Sequence, residues 1–247
     1  GAQSPGPAAA EAAAMEAAKV DAGLDVVSFY QATECLFRPL SSSEHSKAHS
    51  VIEGSDGVDY NPKEIWDIPL RGKHLKCLGR RGWLKSSVIE AIFMMLRERT
   101  DQFACLPRCF LVGPDFWFLL HKYGEKSVAK WAKKIPNLFS DIKVMLIPVC
   151  MNGSHWVLGG VDFKKECFFY IDSLNSSAID SSDALLFRDK MRRWVKAERV
   201  NVLHKSKDDS EVWPEPSPIK RDPAEWPLLA RLGNPQQGNP CDCGVFM

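Results

Sequence analysis

The sequence has no apolar run long enough to cross a bilayer. The richest, Lys143 to Cys150 ("KVMLIPVC"), falls well short of the ~20 residues a spanning helix requires. No basic stretch followed by an apolar one reads as a secretory leader. Excess charge of one sign is also missing. Thirty-two Lys and Arg against 31 Asp and Glu leave a formal net charge of +1, which points away from a nucleic-acid or anionic-membrane partner. The eight cysteines lack a regular spacing. Cys105 with Cys109, and Cys241 with Cys243, are pairs without a second pair nearby, so neither a zinc site nor a disulfide framework is expected and the thiols read as reduced. No internal repeat is visible, and a monomer is expected.

What remains is 247 residues, 45% apolar and 26% charged, enough for one sizeable core. Residues 1–24 are Ala-rich with Pro and Gly at the front, low-complexity sequence expected to form a disordered tail. Residues 25–69 carry a weak pattern and a polar stretch, "SSSEHSKAHS", in which no chemistry is legible. Beyond them Ser86 and Ser87 are expected to cap a helix whose Val88, Ile89, Ile92, Phe93 and Leu96 fall at helical spacing. Pro114–Lys122 and Lys126–Lys134 read as short helices joined at Gly124. Lys143–Val149, His155–Phe163 and Cys167–Ile171 read as strands, and Asp183–Glu198 as a helix. Lys205–Ala224, charged and Pro-rich, reads as a loop. Helices first and strands after predict an α+β domain.

Chemistry concentrates in "HWVLGGVDFKKECFFYIDSL" and "GNPQQGNPCDCGVFM". In the first, Lys164 and Lys165 are the natural turn of a hairpin. An even loop centred on them sets Val157 opposite Asp172 and makes His155 and Asp172 diagonal neighbours, ~7–8 Å apart between backbones. An odd loop would send them to opposite faces. A carboxylate on His155 Nδ1 would fix the tautomer and free Nε2 to take a proton from a nucleophile. In the second stretch Cys243 is that candidate nucleophile, with Gly244 allowing close backbone approach. A helix beginning at Cys243 would favour a thiolate. Gln237, six residues earlier, can turn its amide back to form an oxyanion hole with the backbone N–H of the cysteine. Taken singly, Cys243 also reads as a small buried residue and His155 as a structural one.

The blocks "WLKSSVIEAIFMML", "KVMLIPVCMNGSHWVL", "FFYIDSL" and "NPQQGNPCDCGVF" occur in this order between Leu70 and Met247. Together they resemble the ubiquitin-like-protein-specific (SUMO/sentrin) cysteine proteases. The resemblance implies an adenain-like, papain-related fold: α+β, with a central mixed or antiparallel sheet flanked by helices, over a catalytic domain at residues 70–247. It implies Cys243 as nucleophile, His155 as general base and acid, Asp172 as its orienting carboxylate and Gln237 as oxyanion donor. Trp83 and Trp156 would match the indoles that close over the substrate's Gly-Gly tail, core packing being the alternative for both. The implied reaction is thiol isopeptidase or endopeptidase cleavage after Gly-Gly of a ubiquitin-like modifier, SUMO favoured, without a cofactor, in nucleus or cytoplasm.

Three departures set further expectations. After "WL" the family usually has Asn-Asp where this chain has Lys85 and Ser86, so an acidic contact to the substrate tail is expected to be missing. The stretch from Asp172 to Cys243 is longer than usual, with the excess placed in Lys205–Ala224. Family members also continue from the cysteine into a long helix. This sequence supplies barely one turn, too little to hold itself, so the domain is expected to be incomplete at its C-terminus and poorly folded or inactive. A thiol-dependent acyltransferase on a related fold and an inactive modifier-binding module are the alternative functions.

Overall fold

The computed structural model describes residues 38–58, 68, 70–103, 106, 108–133, 135, 138–175, 180–208, 219–229 and 236–246. The Ala-rich segment of residues 1–24 lies outside them. The β-branched and aromatic runs build one five-stranded sheet whose spatial order follows the chain. The strands are β1 (Cys109–Leu111), β2 (Val144–Met151), β3 (His155–Asp162), β4 (Cys167–Ile171) and β5 (Leu228–Leu229). β2, β3 and β4 form an antiparallel meander, and β1 and β5 join its two edges in parallel. The sheet is therefore mixed, in an α+β protein. Strands β1 and β5 are too short to show an alternating pattern, which hides them from sequence reading.

The β3–β4 register follows the even loop. Leu158 pairs with Ile171 and Asp162 with Cys167, and one further pair sets Asp172 opposite Val157. Lys165 N donates to Asp162 Oδ1 at 2.8 Å, and Glu166 closes the turn at a φ of 54°.

The helices are α1 (Ser42–Ile52), α2 (Gly72–Leu75), α3 (Ser86–Gln102), α4 (Asp115–Tyr123), α5 (Ala129–Ala132), α6 (Leu138–Asp141), α7 (Ser182–Asp208) and α8 (Cys243–Phe246). They cover the sheet on two sides, as strand alternation requires. Met145, Ile147, Val149, Val157, Val161, Phe168 and Tyr170 point into the larger core, against Phe116 and Leu120 of α4 and Phe187, Met191 and Trp194 of α7. The smaller core takes the opposite side chains. Trp156 joins Val88, Ile89 and Phe93 of α3 and Cys243, with Leu146, Cys150 and Leu158 packed at its edge. Gly159 is imposed by this layering, because a Cβ there would enter the Phe187 ring.

Several elements differ from expectation. The polar stretch "SSSEHSKAHS" forms α1, started by a capping box in which Glu44 N donates to Ser41 Oγ and Ser41 N to Glu44 Oε2. None of its residues is buried, which is why no apolar period announced it. Helix α3 begins at Ser86 itself with Lys85 in the cap position, so no serine hydroxyl caps it. The helix expected over Lys126–Lys134 opens as a 3-10 turn at Glu125–Val128 and continues as α5; Lys134 lies outside the described residues.

Helix α7 runs through Asp208 rather than stopping near Glu198. The Lys205–Ala224 stretch is consequently not one loop, since its start is helical and Ile219 and Pro223 near its end are buried. Ile219 and Trp226 are buried, and the Glu166 carboxylate accepts from the backbone N–H groups of Lys220 and Arg221 and from Arg221 Nε. A buried carboxylate seeking donors anchors a segment that composition alone describes as solvated.

Candidate active site

Three of the six singled-out residues, His155, Asp172 and Cys243, lie where secondary elements begin or end. His155 opens β3 and Asp172 follows β4. Asp172 Oδ1 lies 2.8 Å from His155 Nε2 and also accepts the Leu174 N–H at 2.8 Å. The two side chains are largely covered, at 21% and 14% exposed. The nitrogen differs from expectation. The carboxylate meets the far nitrogen of the imidazole rather than Nδ1. Nδ1 is thus the nitrogen left to exchange a proton with a neighbour.

Cys243 opens α8 and is 2% exposed. Its Sγ accepts the backbone N–H of Trp156, the residue after His155, at 3.4 Å. The turn before it is built by Asn239, which the sequence reading missed. Asn239 Oδ1 accepts the N–H groups of Cys241 (2.9 Å) and Asp242 (3.0 Å) and the Cys241 thiol, while Nδ2 donates to Asp242 Oδ2. Asn ahead of Pro240 is the available signal, because Asn side chains nucleate such turns. Gly244 is required by contact rather than by dihedral angle: a Cβ there would stand 2.9 Å from Leu84 Cβ.

Gln237 is buried. Its backbone N–H donates to Ser173 O at 2.9 Å, and Gln236 Nε2 donates to Asp172 O at 3.3 Å, so the 236–237 segment is laced to the 172–173 segment. The Gln237 side chain accepts from Ser173 Oγ through Oε1 and donates one Nε2 hydrogen to Asn239 O.

The two tryptophans separate. Trp156 is a member of the smaller core, and its indole N–H donates to Leu84 O at 2.8 Å. Trp83, the residue before Leu84, is 51% exposed, so core packing does not account for it. Lys85, one of the departures, reaches back to Lys73 O at 3.0 Å. Near the site, burial and the neighbouring Cys243 push the Cys150 thiol up. Burial, with the charges of Asp172 and Asp183, pushes up the Tyr170 phenol.

A buried thiol at the start of a helix, one residue's reach from an imidazole that a carboxylate grips, set against a mixed sheet, defines the cysteine-peptidase class. The chain belongs to the Ulp1 protease family: the pattern of that family's C-terminal catalytic domain matches residues 82–247. It is similar to ubiquitin-like-specific protease 1 of Saccharomyces cerevisiae, with 25% identity over 208 residues, covering 84% of this chain and 29% of that protein. It is also similar to ubiquitin-like-specific protease 1A of Arabidopsis thaliana, with 28% identity over 223 residues, 85% of this chain and 39% of that one. The chain thus spans well under half the length of these relatives. Among solved structures, the C-terminal Ulp1 protease domain in complex with Smt3, the yeast ortholog of SUMO, superposes with a TM-score of 0.64. It is 22% identical over 85% of this chain and 82% of that chain, which establishes the shared fold.

Proposed function

We propose that the protein is a thiol isopeptidase that cleaves after the C-terminal Gly-Gly of a ubiquitin-like modifier, with SUMO as the favoured modifier. The observation that carries this reading is the linked set of contacts: Asp172 on His155 Nε2, and Cys243 Sγ on the N–H next to His155. The modifier class is supported by the relatives' names and by the yeast domain solved with Smt3.

In this mechanism His155 Nδ1 takes the Cys243 proton while Asp172 supports the imidazolium through Nε2. The thiolate attacks the carbonyl of the terminal glycine. The developing oxyanion takes a hydrogen bond from the second Nε2 hydrogen of Gln237 and one from the Cys243 backbone N–H. His155 then protonates the leaving lysine amine, and a thioester remains. Water attacks the thioester, His155 accepts its proton and returns it to the sulfur, and the modifier leaves with a free carboxylate. Trp83 and Trp156 line the path of the tail. Glycine has no side chain, so a slot beside two indoles admits Gly-Gly and excludes bulkier residues.

The test is hydrolysis of a modifier–fluorophore conjugate, compared with Cys243→Ser. The reading requires that the protein release the fluorophore and that Cys243→Ser be inactive. Equal rates for the two would overturn the reading.

A further inference from the structure

Gln237 carries its proposed role only if its amide is turned the right way, and the amide does not orient itself. The terminal torsion of a glutamine is a broad, nearly two-fold well, so Oε1 and Nε2 exchange places at little intrinsic cost. An oxygen presented to a developing oxyanion repels it. The structure shows how both ends of this amide are held. Nε2 donates one hydrogen to Asn239 O, and Oε1 accepts from the Ser173 hydroxyl. Among the described residues no further partner takes the second Nε2 hydrogen.

Ser173 is suited to this and to little else. It is 3% exposed, its hydroxyl has no other partner among the described residues, and its own carbonyl receives the Gln237 backbone N–H at 2.9 Å. It directly follows Asp172, whose carboxylate grips His155. Adjacent residues in the bend after β4 thus fix the proposed base and the proposed oxyanion donor in a single frame. A hydroxyl donating to Oε1 also polarises the amide and strengthens the opposite N–H as a donor.

We propose that Ser173 is a positioning residue for acyl transfer, acting through Gln237 by holding its carbonyl oxygen away from the reacting carbonyl. It touches no substrate atom. The inference rests on the isopeptidase reading above.

The test is a double-mutant cycle on a modifier–fluorophore conjugate, with kcat and KM separated. Ser173→Ala is expected to lower kcat about tenfold while KM stays within about twofold, because misorientation weakens an interaction made only in the transition state. Ser173→Thr, which keeps the hydroxyl, is expected to recover most of the rate. In a Gln237→Ala background, Ser173→Ala is expected to cost nothing further. Full multiplication of the two losses, or a wild-type kcat for Ser173→Ala, overturns the proposal. Should Ser173→Ala fold poorly, Ser173→Cys, close in volume and a weak donor, serves in the same cycle.

A second readout does not depend on turnover. The Gln237 side-chain amide resonances in a nitrogen–proton correlation spectrum are expected to shift in Ser173→Ala, and unchanged resonances overturn the proposal. A protein inactive on the conjugate would therefore sink the isopeptidase reading, while the spectrum alone would still decide the role of Ser173.

Discussion

At the scale of single residues the site is governed by which atom of each group is already engaged. Asp172 Oδ1 receives two donors, His155 Nε2 and the Leu174 N–H, so what it must supply is an acceptor in a fixed place. An asparagine oxygen can occupy that place. Asp172→Asn is therefore expected to lose about tenfold in kcat/KM and Asp172→Ala about 10²–10⁴-fold, the range typical of lost general acid–base catalysis. Steady-state hydrolysis of the conjugate measures both, and equal losses would show that charge rather than position is what Asp172 provides. Gly244→Ala tests a contact of another kind. Its new methyl meets Leu84 Cβ at 2.9 Å, and Leu84 is the residue whose carbonyl holds the Trp156 indole. A loss of about 1–3 kcal/mol in urea unfolding is expected, with a fall in kcat/KM. The chemically loud residues, His155, Asp172, Gln237 and Cys243, were legible in the sequence because their types and order carry meaning. Asn239 and Ser173 were not, because a turn-former beside proline and a serine after aspartate are common. Their significance arises only when two distant segments meet. The choice of Nε2 over Nδ1 was likewise out of reach, since it depends on how the fold turns the imidazole.

At the scale of elements, strands with clear alternation were read with their faces and even their register, whereas short or polar elements escaped. Helix α1 rests on its cap and not on burial, and β5 has two residues. The clamp between the β3–β4 turn and the 219–221 segment is an element-level contact with a measurable signature. Burial pushes the Glu166 carboxyl up, but the Arg221 guanidinium and the N–H groups of Lys220 and Arg221 outweigh it, leaving the group below its ordinary value. A carboxylate lowered in the folded state favours folding when charged. Its contribution is complete above the unfolded value, near 4.5, and is lost as pH falls through the folded value. Glu166→Gln is expected to cost about 1 kcal/mol at neutral pH, a modest figure because Arg221 is half exposed and screened. The gap from wild type should close as the pH is lowered below that range, which denaturation curves at pH 7 and pH 3 would reveal.

At the scale of the whole molecule, the sheet divides the interior into a larger core that carries stability and a smaller one that also carries Trp156 and Cys243. The division predicts two classes of core variant. Phe187→Ala, in the larger core, is expected to cost about 3–5 kcal/mol and leave kcat/KM per folded molecule unchanged. Ile89→Ala, in the smaller core that also holds Trp156 and Cys243, is expected to cost about 2–5 kcal/mol and lower kcat/KM as well. Urea titration together with active-site titration of the folded fraction separates them. The order of parts along the chain has a further consequence, one of time. The hairpin that joins His155 to Asp172 is local, the two standing 17 positions apart, whereas the contact from Trp156 to Cys243 spans 87. At ~5–20 residues per second, a ribosome delivers the thiol roughly 4–17 s after the base. For that interval the nascent chain carries His155 without Cys243, so the sulfur can meet that segment only after every strand of the sheet has been synthesised.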